Sequence, residues 1–265
     1  MFKRFKVYST VWFIIASNAV QETFVNRWSN VLFFLGKAIR LGMSLIVLLL
    51  IKQATKGFGQ YSTDEMIVFF LTYQLLDIVG QIFYRGVYMF SNMVRSGEFD
   101  LFLSKPINPL FRALTGQPDI NDVFFLIPNL IISGYILSKL NITITVGSAV
   151  LYAALLLNSF LIVTALHILV LTIGVITTEV DGVIWMYRDL IRLGQFPVSV
   201  YAEPLRFALF FIIPIGVMIT IPAEVLLNTP VTYSIFLSTL IGVGSLFISL
   251  RLWDWGIKQY SSASS

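Results

Sequence analysis

Residues 147–175 read GSAVLYAALLLNSFLIVTALHILVLTIGV, with no Asp, Glu, Lys or Arg among them. A bilayer core is about 30 Å thick and is crossed by about 20 apolar residues in an α-helix, which satisfies its own backbone N–H and C=O groups. The stretch is longer than that, so its helix must tilt or extend beyond the bilayer. Working outward, five more apolar segments lie near 31–51, 66–88, 121–138, 205–222 and 231–252. The first is the weakest, because Lys37 and Arg40 interrupt its early half.

Composition agrees. Of 265 residues, 57% are hydrophobic and 12% are charged, against about 25% charged in an ordinary soluble domain. Too few polar side chains remain to clothe a water-exposed globule, which excludes an ordinary soluble enzyme, a disordered protein and a nucleic-acid binder. The chain has no cysteine, so disulfides, thiol catalysis and cysteine-ligated metals are excluded. The expected fold is all-α: one multi-pass membrane domain over 1–265, with six transmembrane helices across 31–252. Residues 1–30 precede the spans as an interfacial helix, and 253–265 form a tail.

The links fall into two groups. Residues 52–65, 139–146 and 223–230 are short and close the helices on one side, whereas 89–120 and 176–204 are longer and richer in charge. With both termini inside, the cytosolic segments hold Lys3, Arg4, Lys6, Arg27, Arg95, Lys105, Arg112, Arg188, Arg192, Arg206, Arg251 and Lys258. The outer links hold Lys52, Lys56 and Lys139. That asymmetry is the positive-inside pattern and places both ends in the cytosol, with the chain in the cell membrane.

The N-terminus begins Lys3, Arg4 and Lys6 followed by VYSTVWFIIASNA, a pattern shared with signal peptides. On a helix, however, Phe5, Tyr8, Trp12, Ile15 and Ala19 share one face, opposite Lys3, Lys6, Thr10, Ser17 and Gln21. A helix lying in the cytosolic interface is expected, with lysines at the headgroups and aromatics at the acyl boundary.

Motifs for catalysis are sparse. There is no G-x-x-x-x-G-K-[ST] phosphate loop, so the chain lacks the usual backbone cradle for ATP. The single histidine, His167, lies within the fourth span, far along the helix from Glu179 and Asp181. Its expected role is helix packing or a polar position facing a pore, and no metal site is expected.

The stretch after the second span carries more. Residues 92–111 read NMVRSGEFDLFLSKPINPLF, combining a Gly97 break, acids Glu98 and Asp100, and apolar Phe99, Phe102 and Leu103. Pro106 and Pro109 then stop a helix. This describes a short amphipathic helix with acids at its N-terminal end, where the helix dipole favours them. By pattern alone it is either a foot that fits a groove on a soluble partner or a simple interfacial turn.

This segment resembles the cytosolic motif of type-2 ABC exporter permeases, in the subgroup whose permeases occur in pairs. The resemblance extends to IRLGMSLIVLLLIKQAT, FFLTYQLLDIVGQIFYRGVY, FPVSVYAEPL, IIPIGVMITIPAE and the tail WDWGIKQYSSAS, and so touches most of the chain. It implies that the loop between spans two and three is a coupling helix docking on an ATP-binding cassette ATPase, carried here by Gly97, Glu98, Phe99, Asp100, Leu103 and Pro106. It also implies a second permease, the same or a related chain, with ATP and Mg held by the partner ATPase and no cofactor on this chain. Short re-entrant helices often lie between the last two spans in that family. The link around Pro222–Pro230 is short for a developed outer cap.

Charges inside the spans narrow the picture. Asp77 lies midway along the second span, where an isolated carboxylate is expensive. At 1.5 Å per residue, Arg40 and Asp77 both lie roughly 13 Å from the inner face, so an Arg40–Asp77 pair is expected between the first two helices. Two alternatives are that Lys37 and Arg40 snorkel to the interface and that Asp77 faces a substrate path. Prolines 197, 204, 214 and 222 surround or enter the fifth span and could kink it. The function expected is that of a permease subunit coupling ATP hydrolysis in a partner to export; the rivals are an ion-coupled secondary transporter and a non-transporting membrane scaffold.

Overall fold

The computed structural model describes residues 2–54, 57–58, 60–177, 179–229 and 232–261. Lys56, Pro230 and residues 262–265, and the side chains of Lys3, Arg4 and Lys52, lie outside that set.

Helices α1 (Phe2–Val25) and α2 (Arg27–Ala54) open the chain. A small antiparallel hairpin follows, β1 (Gly57–Phe58) and β2 (Tyr61–Ser62), with Gly57 opposite Ser62 and Phe58 opposite Tyr61. Ser62 then starts α3 (Thr63–Tyr84) with a reciprocal cap. Its Oγ accepts from the Glu65 backbone N–H at 3.3 Å, and the Glu65 carboxylate accepts from the Ser62 N–H at 2.7 Å, satisfying two donors that a helix start otherwise leaves free. A 3-10 turn, Arg85–Met89, continues α3 into α4 (Phe90–Arg95). Next come α5 (Glu98–Leu103), α6 (Pro109–Thr115), α7 (Ile120–Lys139), α8 (Val146–Thr177) and α9 (Asp181–Arg192). The chain closes with α10 (Leu205–Phe207), α11 (Ile221–Leu226) and α12 (Thr232–Ile257).

Among the described residues, five helices are long and apolar enough to cross a bilayer: Arg27–Leu50, Thr63–Arg95, Ile120–Lys139, Val146–Thr177 and Ser234–Ile257. The fold is the expected all-α membrane bundle. At 32 residues, α8 is about 48 Å long, and it outruns the hydrocarbon as its sequence requires. Its partner along most of its length is α12, and small residues allow the approach. A Cβ on Gly242 would lie 2.1 Å from Asn158 Oδ1, and one on Gly256 would lie 2.9 Å from Thr172. Asn158 Nδ2 donates to Ser238 O at 2.9 Å and to Ser238 Oγ at 3.0 Å. At the centre stands α3, buried on nearly every side, as a helix apolar all round should be.

The fifth span differs from expectation. Residues 205–222 do not form one kinked helix; Leu205–Ile212 and Gly216–Leu226 meet at 76°, on either side of Pro214. Proline removes a donor and clashes with the preceding turn, and both flanks carry π-helical turns, Ala208–Ile212 and Gly216–Thr220. The second arm reaches only partway into the bundle. Ser159 Oγ, midway along α8, donates to Met218 O at 2.7 Å, while Asn228 donates to Thr143 O just before α8 begins.

The 176–204 link, expected to be cytosolic throughout, is corrected as well, since it does not stay at one end of the bundle. Val180 N–H donates to Ser91 Oγ on α4 at 2.8 Å. From there α9 climbs beside α3, and Phe196 packs with Phe69 and Leu226 near the opposite end. Residues 180–196 thus travel most of the bundle's depth, and Arg188 sits inside it with 10% of its side chain exposed.

Helix α1 lies against the bundle. Its Tyr8, Trp12, Ile15 and Ala19 are half-buried as a face, as expected, but they meet protein instead of lipid. Trp12 stacks on Phe83 with centroids 5.6 Å apart, and Tyr8 meets Phe111 at 4.8 Å. Phe5 departs from that face and is exposed, as are Phe13 and Ile14.

Candidate functional site

Two arrangements stand out, a foot at one end of the bundle and a charged cavity. In the foot, Gly97 adopts φ +74° between α4 and α5. That left-handed conformation is open to glycine without the Cβ clash other residues suffer. Behind it Phe99 is fully buried, with Phe90 at 5.0 Å, Tyr260 at 5.2 Å and Trp253 at 6.4 Å between ring centroids. Phe102 is also buried, beneath the Arg112 guanidinium at 5.0 Å. The outward face therefore consists of Glu98, Leu101, Leu103, Ser104, Lys105 and Pro106.

The sequence reading had Phe99 among the docking residues; the structure gives it to the protein's own core, where it locks α5 to α4 and α12. Leu101, which that reading omitted, is 59% exposed. Its place three residues after Glu98 was the available signal, since i and i+3 share a helix face. Asp100 is partly covered beside Tyr260. Burial first, and that carboxylate second, push the Tyr260 hydroxyl up to about 12, so it stays protonated at neutral pH. Pro109 begins α6 at its first position, with Asn108 Oδ1 accepting from the Leu110 N–H at 2.8 Å. Its missing N–H costs nothing there.

The foot is tied upward by two contacts. Ser91 holds Val180 as described, and Arg95 reaches Glu179 at 2.7 Å. Displacing α5 thus loads both the α3–α4 column and the corner that feeds α9.

The second arrangement is a cavity of about 630 Å³ between α2, α3, α7 and α9. Asp77 forms its hub. One carboxylate oxygen takes Arg188 Nη1 at 2.7 Å and the other takes Arg40 Nη2 at 3.4 Å. The expected Arg40–Asp77 pair is present, but it is the longer and more exposed of the two, with 47% of the Arg40 side chain open. Lys37 does not snorkel; it bridges Asp122 on α7 at 2.7 Å and Asp119, the residue that caps the start of α7, at 3.3 Å. Arg188 escaped the sequence reading because its surroundings look like a charged loop, while its partner lies 111 residues away.

His167 packs between Tyr84 at 4.9 Å and Tyr187 at 4.7 Å, and its Nδ1–H donates to Val163 O at 2.8 Å. Among the described residues no group of three or more His, Cys, Asp or Glu is placed to hold a metal ion.

No solved structure matches the chain. A probable quinol oxidase subunit 3 from Staphylococcus haemolyticus (strain JCSC1435) is 30% identical over 100 residues, 37% of this chain and 48% of that protein. The chain thus matches about half the length of that curated relative, and the likeness carries no functional argument. The family model described as ABC-2 family transporter protein matches residues 38–264. That range takes in the foot, the hub aspartate, the broken pair and the last span. The chain belongs to the ABC-2 transporter family, and it is a multi-pass membrane protein.

Proposed function

We propose that this permease exports its substrate across the cell membrane, driven by ATP hydrolysis in the partner ATPase acting through α5. The observation that carries this reading is the foot's construction. Phe99 and Phe102 anchor the helix from behind, leaving Glu98, Leu101, Leu103 and Lys105 on a small outward face. An apolar centre flanked by opposite charges suits a groove on a soluble subunit.

Force applied there has a route. It passes through Phe99 to Phe90 and the α3–α4 column, and through Ser91 and Val180 to α9. The Arg188–Asp77–Arg40 junction then joins α9 and α3 to α2. The work comes from the ATPase binding ATP more tightly in one arrangement of the permease than in the other. ATP and Mg belong to that subunit; this chain provides the lever.

Both termini lie in the cytosol. Without Arg188 and Arg192, which travel with α9, and Arg206, which follows its climb to the other end, nine basic residues of the original cytosolic set still face the three lysines of the outer links. A second permease, the same chain or a relative, completes the passage.

The test is vanadate-sensitive ATPase activity in proteoliposomes holding this chain with its ATP-binding subunit. Leu101→Asp is expected to abolish the stimulation given by the permease, with the protein still inserted and folded. ATPase stimulation unchanged by Leu101→Asp and by Glu98→Lys would overturn coupling through α5.

A further inference from the structure

We propose that the charged cavity binds the anionic head group of an amphiphile, a phosphate or carboxylate, whose apolar chain lies in the seam between α2 and α9. The proposal rests on the permease reading and adds a ligand class to it.

Charge bookkeeping comes first. Lys37, Arg40, Arg85 and Arg188 face Asp77, Asp119 and Asp122, leaving one positive charge over. Arg192, also at the cavity, is taken by Asp189 at 2.9 Å. Charges inside a membrane bundle are held by partners; Arg85 rests over the Tyr88 ring at 4.8 Å, which leaves its N–H donors free. Its ion-pair contact is 3.9 Å, to Asp119 Oδ2. Asp119 is already engaged: Oδ2 takes Lys37, and Oδ1 accepts from the N–H groups of Asn121 and Asp122 at 3.0 and 3.2 Å. Arg40 meets Asp77 through one nitrogen at 3.4 Å and keeps its remaining donors. Two guanidinium groups with donors to spare, lining one cavity from α2 and from the turn after α3, suit an anion with two or more oxygens.

Shape supplies the second half. About 630 Å³ is more room than a bare phosphate needs and lies within the range of organic ligands. Leu32 and Trp185 at the rim are 71% and 58% exposed, so the mouth opens sideways. Further along the same seam lies a smaller cavity of about 190 Å³, lined mainly by Met43, Val47, Leu48, Phe70 and Phe196, with Ser44 and Gln195 as its polar members. On α3 it is reached by stepping from Asp77 to Phe70, about 10 Å along the axis. On α2 the lining runs 33, 36, 40, 43, 47, one continuous helical stripe. A charged recess followed by a largely apolar slot along the same elements matches a molecule with a head and a chain.

Trp185 provides the readout. The full complex is placed in phosphatidylcholine nanodiscs without nucleotide and titrated with brominated phosphatidylglycerol or brominated phosphatidylcholine. The Trp185 signal is taken as the difference from Trp185→Phe. Quenching is expected to be at least fivefold more effective with the anionic lipid, to fall to the zwitterionic level in Arg85→Gln, and to persist in Arg85→Lys. Equal quenching by both lipids, or an unchanged preference in Arg85→Gln, would overturn the site.

Dodecyl phosphate then separates two sources of the same chemistry. Competition by it together with ATPase stimulation identifies an anionic cargo, while phosphatidylglycerol retained through turnover identifies a resident lipid; either supports the site. Competition by dodecyltrimethylammonium equal to that by dodecyl phosphate counts against it. Because binding is read without ATP, its failure leaves the coupling through α5 standing, and loss of coupling with binding intact strikes the transport reading alone.

Discussion

Arg188 and Asp77 meet at 2.7 Å inside the helix bundle, with 10% and 5% of their side chains exposed. The pair joins α9 to α3 at mid-depth, and Arg40 extends it to α2. Three elements therefore share one carboxylate, and any relative movement of α9 against α3 must stretch or exchange those bonds.

Removing the hub carboxylate strands Arg188. Asp77→Ala is expected to destabilise the folded protein by about 3–5 kcal/mol, the cost of leaving a buried charge unpaired. Arg40→Ala is expected to cost about 1 kcal/mol or less, since half-exposed pairs are screened. Equilibrium unfolding in mixed micelles, run as two double-mutant cycles, measures both. A coupling for Asp77–Arg40 as large as that for Asp77–Arg188 would contradict the geometry.

In the foot, the two apolar faces of α5 separate into different phenotypes. Phe99→Ala empties a packed site between Phe90, Trp253 and Tyr260 and is expected to cost about 3–5 kcal/mol. Leu101→Ser is expected to leave stability within about 0.5 kcal/mol and to weaken co-purification of the ATPase. Thermal unfolding and pull-down yields distinguish them.

Gly97→Ala forces a Cβ into a left-handed backbone at φ +74°. The expected loss is about 1–2 kcal/mol, and Gly97→Asn is expected to lose less, since asparagine tolerates that region. Equal losses from the two replacements would point to a cause other than backbone conformation.

Between α8 and α12, Gly242→Val places a side chain where Asn158 now lies. Overpacking of this kind costs about 1–3 kcal/mol, and α12 is expected to separate from α8. Reduced protection of backbone amides in both helices by hydrogen exchange is the measurement.

The residues of 147–175 declared a membrane helix because length and the absence of charge suffice for that reading. Arg40–Asp77 was legible too, because equal depth on successive helices is simple counting. What stayed hidden needed tertiary knowledge. Arg188 and Asp189 in α9 read as water-facing charge, whereas the helix turns one arginine inward to a carboxylate on α3 and leaves the aspartate exposed. Phe99 and Leu101 differ by two residues, so their opposite fates depended on which face of α5 meets α12. The apolar run 205–222 has span-like composition, but composition could not show that Pro214 would break it by 76°.

The most direct test of the central claim uses the absence of cysteine from the chain. Leu101→Cys labelled with a maleimide photo-cross-linker, in membranes containing the whole transporter, is expected to yield a covalent adduct with the ATP-binding subunit. Its yield should change when ATP and vanadate are added, while Tyr135→Cys on the exposed face of α7 should give no such adduct. Failure of the Leu101 position to capture that subunit, in a complex that still hydrolyses ATP and transports, would contradict the claim that α5 is where the energy enters.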